Sequence, residues 1–212
     1  MCDISFPKEE MSNIRGKKGN NFIWIDHHIS AINDAKEIFK EYYETFNGIR
    51  DTNFAACELT WKYFFPNVEM PEIIRLLGRY DCFGHKGTDE EAKVLEFQYG
   101  ARAYITNYEE AYQALIGWCS SYDDCYNLLQ KGKGIYQYLC TEDKQSYKNG
   151  FEVQFQENTK VDINDYPEID GIKFRKFICI NKERFNPINF GIDYHTDGYD
   201  GAACFHFDGT HW

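Results

Sequence analysis

The sequence predicts an α/β protein: a parallel sheet flanked by helices through residues 1–150, followed by the start of a smaller, strand-rich α/β domain in residues 151–212. Three observations lead there. Phe22-Ile23-Trp24-Ile25 is an unbroken apolar run that stops abruptly at Asp26-His27-His28. A strand buried on both faces reads this way, although four residues also fit a piece of helix. The chain before that run has the order strand, helix, strand. Helical periodicity then dominates as far as Asn149-Gly150, and strand patterns take over after it.

Met1–Pro7 has the composition of a strand end leading into a Pro-started helix whose first turn carries Glu9 and Glu10. The strand that should precede Asp3 is only two residues long. Either it is absent, or the chain begins later than its fold does. Met11 to Lys18 finishes the helix and Gly19 returns the chain to Phe22. A right-handed crossover of this kind lays Asp3 near Asp26 at one sheet edge. Asn33 to Phe46 is amphipathic and stops at Asn47-Gly48, and Asp51-Thr52-Asn53 offers caps for a helix from Phe54 to Phe65, closed by Pro66. Pro71 starts a helix from Glu72 to Arg79. Thr88-Asp89-Glu90-Glu91 reads as a capping box for a helix to about Gly100, and Asn107 to Glu110 repeats the device for one reaching Trp118. From Ser121 a long helix runs to Asn149-Gly150, weakened by Gly132 and Gly134. Gly171–Ile180, Phe190–Tyr194 and Ala202–Phe207 read as strands, with turns at Thr196-Asp197-Gly198 and Asp208-Gly209.

Composition narrows the function classes. Lys plus Arg is 23 against 34 for Asp plus Glu, a net charge of −11. That disfavours holding long nucleic acid by phosphate neutralisation, while a short nucleotide held through metal ions stays compatible. No apolar run approaches a membrane span and the N-terminus lacks the blocks of a secretory signal. The eight cysteines contain no CxxC pair, and Cys57, Cys119 and Cys179 sit among apolar neighbours as small buried hydrophobes. The expectation is a soluble protein of the reducing cytoplasm.

Asp26, His27 and His28 fall where open parallel sheets gather their reactive groups, beyond the carboxyl end of a strand. Imidazole and carboxylate are donors that divalent first-row metals accept together, so a metal site is one reading. The other is a hydrogen-bonded His–Asp pair, and adjacent histidines on a strand point to opposite faces. Asp81, at a helix end before Cys82-Phe83-Gly84, is either a further carboxylate for such a site or a plain C-terminal turn.

Asp3 in CDISFP, Asp26-His27-His28 in WIDHH, the helix Ala55-Ala56-Cys57-Glu58-Leu59-Thr60-Trp61, and Asp81 in LLGRYD together resemble the DHH phosphoesterases with a DHHA1 domain. Asp3 precedes His27 by 24 positions and Asp81 follows it by 54, similar to the order and separations of that family. The likeness covers residues 1 to about 150, and residues 172 to 212 resemble the first part of a DHHA1 domain. The resemblance implies hydrolysis of short nucleotides or oligonucleotides by a hydroxide activated between two Mn2+ or Mg2+ ions. Such ions lie about 3.5–4 Å apart and need a shared carboxylate. By the same resemblance Asp3 bridges the ions, His27 and Asp81 ligate one, Asp26 supports that shell, and His28 meets the substrate phosphate. A homodimer is compatible with it.

Two features of the family are missing from these 212 residues. One is an earlier strand ending in a His and an Asp-x-Asp pair that completes both ion sites. The other is the closing glycine-rich run whose His grips phosphate. The expectation is therefore a fragment of a longer protein, weak or inactive alone, with a catalytically incomplete nucleotide- or metal-binding module as the alternative and a pyrophosphatase-like enzyme as a second. His85, His195, His206 and His211 are the candidates to complete the ligand set. His206 reads equally as a solvent-facing strand residue. Lys173, Arg175, Lys176, Lys182 and Arg184 form a basic group in an acidic chain, either facing the cleft to bind nucleotide phosphate or lying on a solvated strand face.

Overall fold

The computed structural model describes residues 1–120, 123–156 and 174–206. It is a mixed helix-and-sheet protein with two compact units, Met1–Ile135 and Tyr136–Trp212. The division falls inside the longest helix, whereas the change of sequence texture falls at 150. Among the described residues no helix is long and apolar enough to cross a membrane, and the described cysteines are all free.

In the first unit three extended segments run parallel. The central one, residues 22–26, is bridged on one side by Cys2 to Ile25 and on the other by Ile23 to Asn47 and Asp26 to Arg50. These are isolated bridges rather than full strands. They still make a short ladder: Ile25 N–H donates to Met1 O at 2.9 Å, Asp3 N–H to Ile25 O at 3.0 Å, and Trp24 N–H to Asn47 O at 2.8 Å. The apolar run is buried on both faces, because Phe22 and Trp24 enter a cluster with Met11, Ile32, Tyr43 and Phe46 while Ile25 is buried as well.

Helix α1 (Lys8–Lys18) follows Pro7 with Glu9 and Glu10 in its first turn and Arg15, Lys17 and Lys18 in its last, the charge order a helix dipole favours. The helix expected over Asn33 to Phe46 is instead α2 (Ile29–Phe39) and a 3-10 segment, Lys40–Thr45. The break comes at Lys40, φ +46°. It turns Tyr43 and Phe46 back onto Trp24, with ring centroids 6.4 and 6.0 Å away, and aromatic packing there outweighs a continued helix. The caps expected at Asp51-Thr52-Asn53 form a local turn, Asn53 N–H donating to Asp51 Oδ1 at 2.9 Å. α3 (Ala56–Phe64) starts after Ala55, whose N–H is taken by the Glu58 carboxylate at 3.0 Å.

α4 (Glu72–Asp81) begins after Pro71 as its sequence predicts and runs two residues further. α5 (Glu91–Tyr104) lacks the expected Thr88 cap, since the Thr88 hydroxyl donates to His85 O at 2.6 Å and the Glu91 carboxylate accepts from Gly87 N–H at 2.9 Å. At α6 (Tyr108–Ser120) the Asn107 cap does form, with Glu110 N–H on Asn107 Oδ1 at 2.9 Å, while the Glu110 carboxylate reaches one residue further back to Thr106 N–H at 2.7 Å. α4, α5 and α7 (Asp123–Lys148) share a second core of Ile73, Leu76, Val94, Phe97 and Leu128. There α5 and α7 touch backbone to backbone: a Cβ on Gly132 would lie 1.8 Å from Glu96 O, and one on Gly100 2.1 Å from Leu128 O.

The second unit holds a three-stranded sheet, β1 (Phe151–Gln156), β2 (Phe174–Asn181) and β3 (Gly201–Phe205), with β2 antiparallel to β1 and parallel to β3. β2 and β3 correspond to two of the three predicted strands. The third, Phe190–Tyr194, is a turn region in which Ile192 N–H bonds Pro187 O at 3.0 Å. Pro187 and Asn189 hold that segment in turns, so its apolar residues pack without a ladder. The predicted turn at Asp208-Gly209 lies outside the described residues. Asp143 of α7 is buried and takes the Lys182 ammonium together with Asn186 N–H at 3.1 Å.

Candidate metal centre

The ends of two of the extended segments, at Asp3 and at Asp26–His28, and the end of α4 deliver the site. Asp3 sits at φ +58°, a conformation Asp tolerates better than most residues, with its N–H fixed on Ile25 O. His27 Nε2 lies 3.2 Å from Asp3 Oδ1 and 3.2 Å from Asp81 Oδ2. His27 is mostly buried, and the two carboxylates are half exposed. One ring nitrogen carries at most one proton, so it satisfies one carboxylate at a time. Asp3 and Asp81 do not fall in one donor group, so a cation would join His27 to one carboxylate or to the other.

Asp26 is fully buried, and its carboxylate is saturated with donors. Oδ1 accepts from His27 N–H at 2.8 Å, His28 N–H at 3.1 Å and His28 Nδ1 at 2.8 Å, while Oδ2 accepts Trp24 Nε1–H at 3.1 Å. Burial pushes its carboxyl up. The hydrogen bonds from His28, Trp24 and His27 outweigh that and hold it below the usual carboxylate range. The Asp26 bond raises the His28 ring against its own burial, with the charges of Asp26, Asp3 and Asp81 adding to the rise. The same contact places the two imidazoles 4.5 Å apart, centroid to centroid, where an extended strand would have sent them to opposite faces. His28 is already the cap residue of α2, and its ring folds back onto Asp26.

One participant has no sequence motif of its own. Cys82 Sγ lies 3.7 Å from His27 Nδ1, on the ring nitrogen away from the two carboxylates. Burial raises its thiol pKa, with the charges of Asp81, Glu58 and Asp3 adding to the rise. The one signal that points to it is its position directly after Asp81. Two donor groups result, Asp3–His27–His28 and His27–Asp81–Cys82, joined through His27.

The other histidines stand apart. His85 is buried, with Nδ1 2.9 Å from Arg79 O and its ring stacked on Tyr80 at 5.5 Å. It anchors a loop and joins neither donor group. His195 Nδ1 meets Tyr199 O at 3.0 Å, and His206 is exposed after β3. His211 lies outside the described residues, as does Lys173. Arg175 pairs with Asp200 at 3.2 Å, Lys176 with Glu152 at 3.0 Å, and Lys182 with Asp143, so these three members of the basic group meet carboxylates within their own unit. A cleft of about 560 Å³ bordered by Tyr104, Glu110, Leu128 and Lys131 contains none of the donors.

Each of the two donor groups at His27, taken separately, has donor types that a first-row divalent ion accepts. Bonds of about 2.0–2.2 Å to nitrogen and oxygen separate adjacent donors by about 3.0–3.4 Å, the spacing seen around His27 Nε2. Carboxylate with a single imidazole suits Mn2+, while the nearby sulfur favours softer ions. No protein-family model matches this chain, and neither a curated protein nor a solved structure does.

Proposed function

We propose that this chain carries the metal-binding part of a DHH-type phosphoesterase acting on short nucleotides or oligonucleotides. The observation that supports it is the convergence of Asp3 and Asp81, 78 residues apart in sequence, on the same nitrogen of His27 at 3.2 Å. Asp3, His27 and Asp81 would hold Mn2+ or Mg2+, which supplies water activation and charge neutralisation at phosphate. Asp26 fixes the backbone at His27 and the ring of His28. With Nδ1 on Asp26, a protonated His28 would keep Nε2–H for a phosphate oxygen. Cys82 accepts the Nδ1 proton of His27 and so holds Nε2 toward the carboxylates, the part a partner of a ligating His plays.

Mn2+ stoichiometry tests this, measured together with product release from adenosine bisphosphate, a dinucleotide and pyrophosphate. Binding is the primary readout, because it reports on the donors directly. His27→Ala should weaken Mn2+ by at least about 100-fold, and Cys82→Ala by about 10-fold with partial rescue by Cys82→Ser, as the loss of a ligand and of its hydrogen-bonding support predict. Product release that survives His27→Ala removes the assignment. Because both donor groups share His27, a single bound ion with no product release would favour a nucleotide- or metal-binding module, and release from pyrophosphate alone the pyrophosphatase reading.

A further inference from the structure

Two residues past Asp81, Phe83 combines features that protein stability does not explain. It is a bulky aromatic held at φ +54°, a conformation L side chains avoid, and the residue is 63% exposed. Backbone strain of this kind persists only where the surroundings enforce it. They do so here through the loop's anchor. His85 is 1% exposed, bonded to Arg79 O and stacked on Tyr80, while Phe83 N–H bonds Tyr80 O at 3.1 Å and Lys86 N–H bonds Phe83 O at 3.2 Å. The result of all this fixing is a ring presented to solvent.

Lys86 Nζ stands 5.1 Å over that ring. Among the described residues no carboxylate pairs with Lys86, although the chain is acidic. Consecutive Cα atoms are about 3.8 Å apart, so the Phe83 Cα lies within about 7.6 Å of that of Asp81. An exposed aromatic ring with an ammonium over it is thus joined to the carboxylate–imidazole cluster by a short, backbone-fixed stretch of chain.

We infer that Phe83 and Lys86 form the grip for the planar base of a nucleotide whose phosphate lies at the Asp3–His27–Asp81 cluster. This rests on the phosphoesterase reading and deepens it. Every base has a π-face, so a single exposed ring stacks bases without reading sequence, and a cation beside it serves the attached phosphate. Inorganic pyrophosphate has no use for such a face.

Calorimetric titration with adenosine 5′-monophosphate and with inorganic phosphate, in the presence of Mn2+, tests the grip. The wild-type chain should bind the nucleotide at least about 10-fold more tightly than phosphate, as stacking on one ring allows. Phe83→Gly, which suits the positive φ, should unfold at a higher temperature than wild type yet lose that preference, and Phe83→Trp should keep it. Phosphate affinity should be the same in all three. A wild type that binds both ligands equally, or a Phe83→Gly chain that keeps the preference, overturns the grip. Mn2+ binding that still depends on His27 in that case leaves the phosphoesterase reading standing, whereas a Phe83-dependent preference without Mn2+ binding removes that reading and not the stacking.

Discussion

Replacing Asp26 with Asn should destabilise the metal-free protein by about 3 kcal/mol, a loss read as a lower urea midpoint at unchanged slope. The change is nearly isosteric, so packing around the side chain stays the same. What changes is the count of acceptors. Asp26 takes four donors, and an amide in its place offers one oxygen. If that oxygen serves His27, His28 and their neighbours, the amide N–H₂ faces Trp24 Nε1–H, and two buried donors oppose each other at a fully buried position. The pH dependence has a definite sign. Asp26 is depressed when folded, so its contribution is present above the ordinary carboxylate range and is lost as pH falls through the folded value. His28 is raised, so its contribution is complete below about pH 6.5 and is lost as pH rises through the folded value. The difference between wild type and Asp26→Asn should therefore be widest between about pH 4 and pH 6.5. Equal midpoints across that window would show that Asp26 is not the hub of the site.

What sequence shows of this site follows the range of the interactions involved. Asp26, His27 and His28 are contiguous, and their position at the end of an apolar run is a local pattern, so their grouping is legible. Asp3 is placed by the expected crossover and Asp81 only through the resemblance to a known family, and the geometry brings both to His27 Nε2. Which ring Asp26 holds is not legible. A strand-like reading sends the two imidazoles apart, and only the turn into α2, which folds the His28 ring onto Asp26, brings them together. Cys82 escapes a sequence reading because a thiol after an acid has no periodicity, and its role depends on how α4 ends beside His27. The predicted basic group shows the converse. Lys and Arg residues close in sequence suggest a patch, yet Asp143, Glu152 and Asp200 come from other parts of the second unit to meet three of them.

Fold elements divide the same way. Helices marked by Pro7 and Pro71 begin where those residues stand, because a fixed φ and a missing N–H act locally. Strands in the second unit are harder to read. FEVQFQ alternates as a strand should, yet as the sequel to a long helix it is not among the predicted strands, and it pairs antiparallel with β2 from Phe151 to Gln156. Phe190–Tyr194 is equally apolar and forms turns. A strand is made by its partner, and partners are not visible along the chain.

Gly132 and Gly134 are the clearest case of a local reading that tertiary structure reverses for one residue and keeps for its neighbour. Both count as helix-weakening by propensity, at about 0.5–1 kcal/mol relative to Ala. A Cβ added at Gly134 would meet nothing within 4 Å, so Gly134→Ala should stabilise the protein by roughly that amount. Gly132 lies against the backbone of α5, where an added Cβ would sit 1.8 Å from Glu96 O and 2.9 Å from Glu96 C. Backbone cannot rotate aside as a flexible side chain can. Relief requires α5 and α7 to move apart, opening the core of Val94, Phe97 and Leu128 that the close approach creates. Gly132→Ala should therefore cost about 3 kcal/mol or more, the range of serious core overpacking. Thermal unfolding of the two variants side by side supplies the check. Opposite shifts in midpoint confirm that the helices are held by a glycine contact, and a common small rise in both would mean that α5 and α7 do not meet at Gly132.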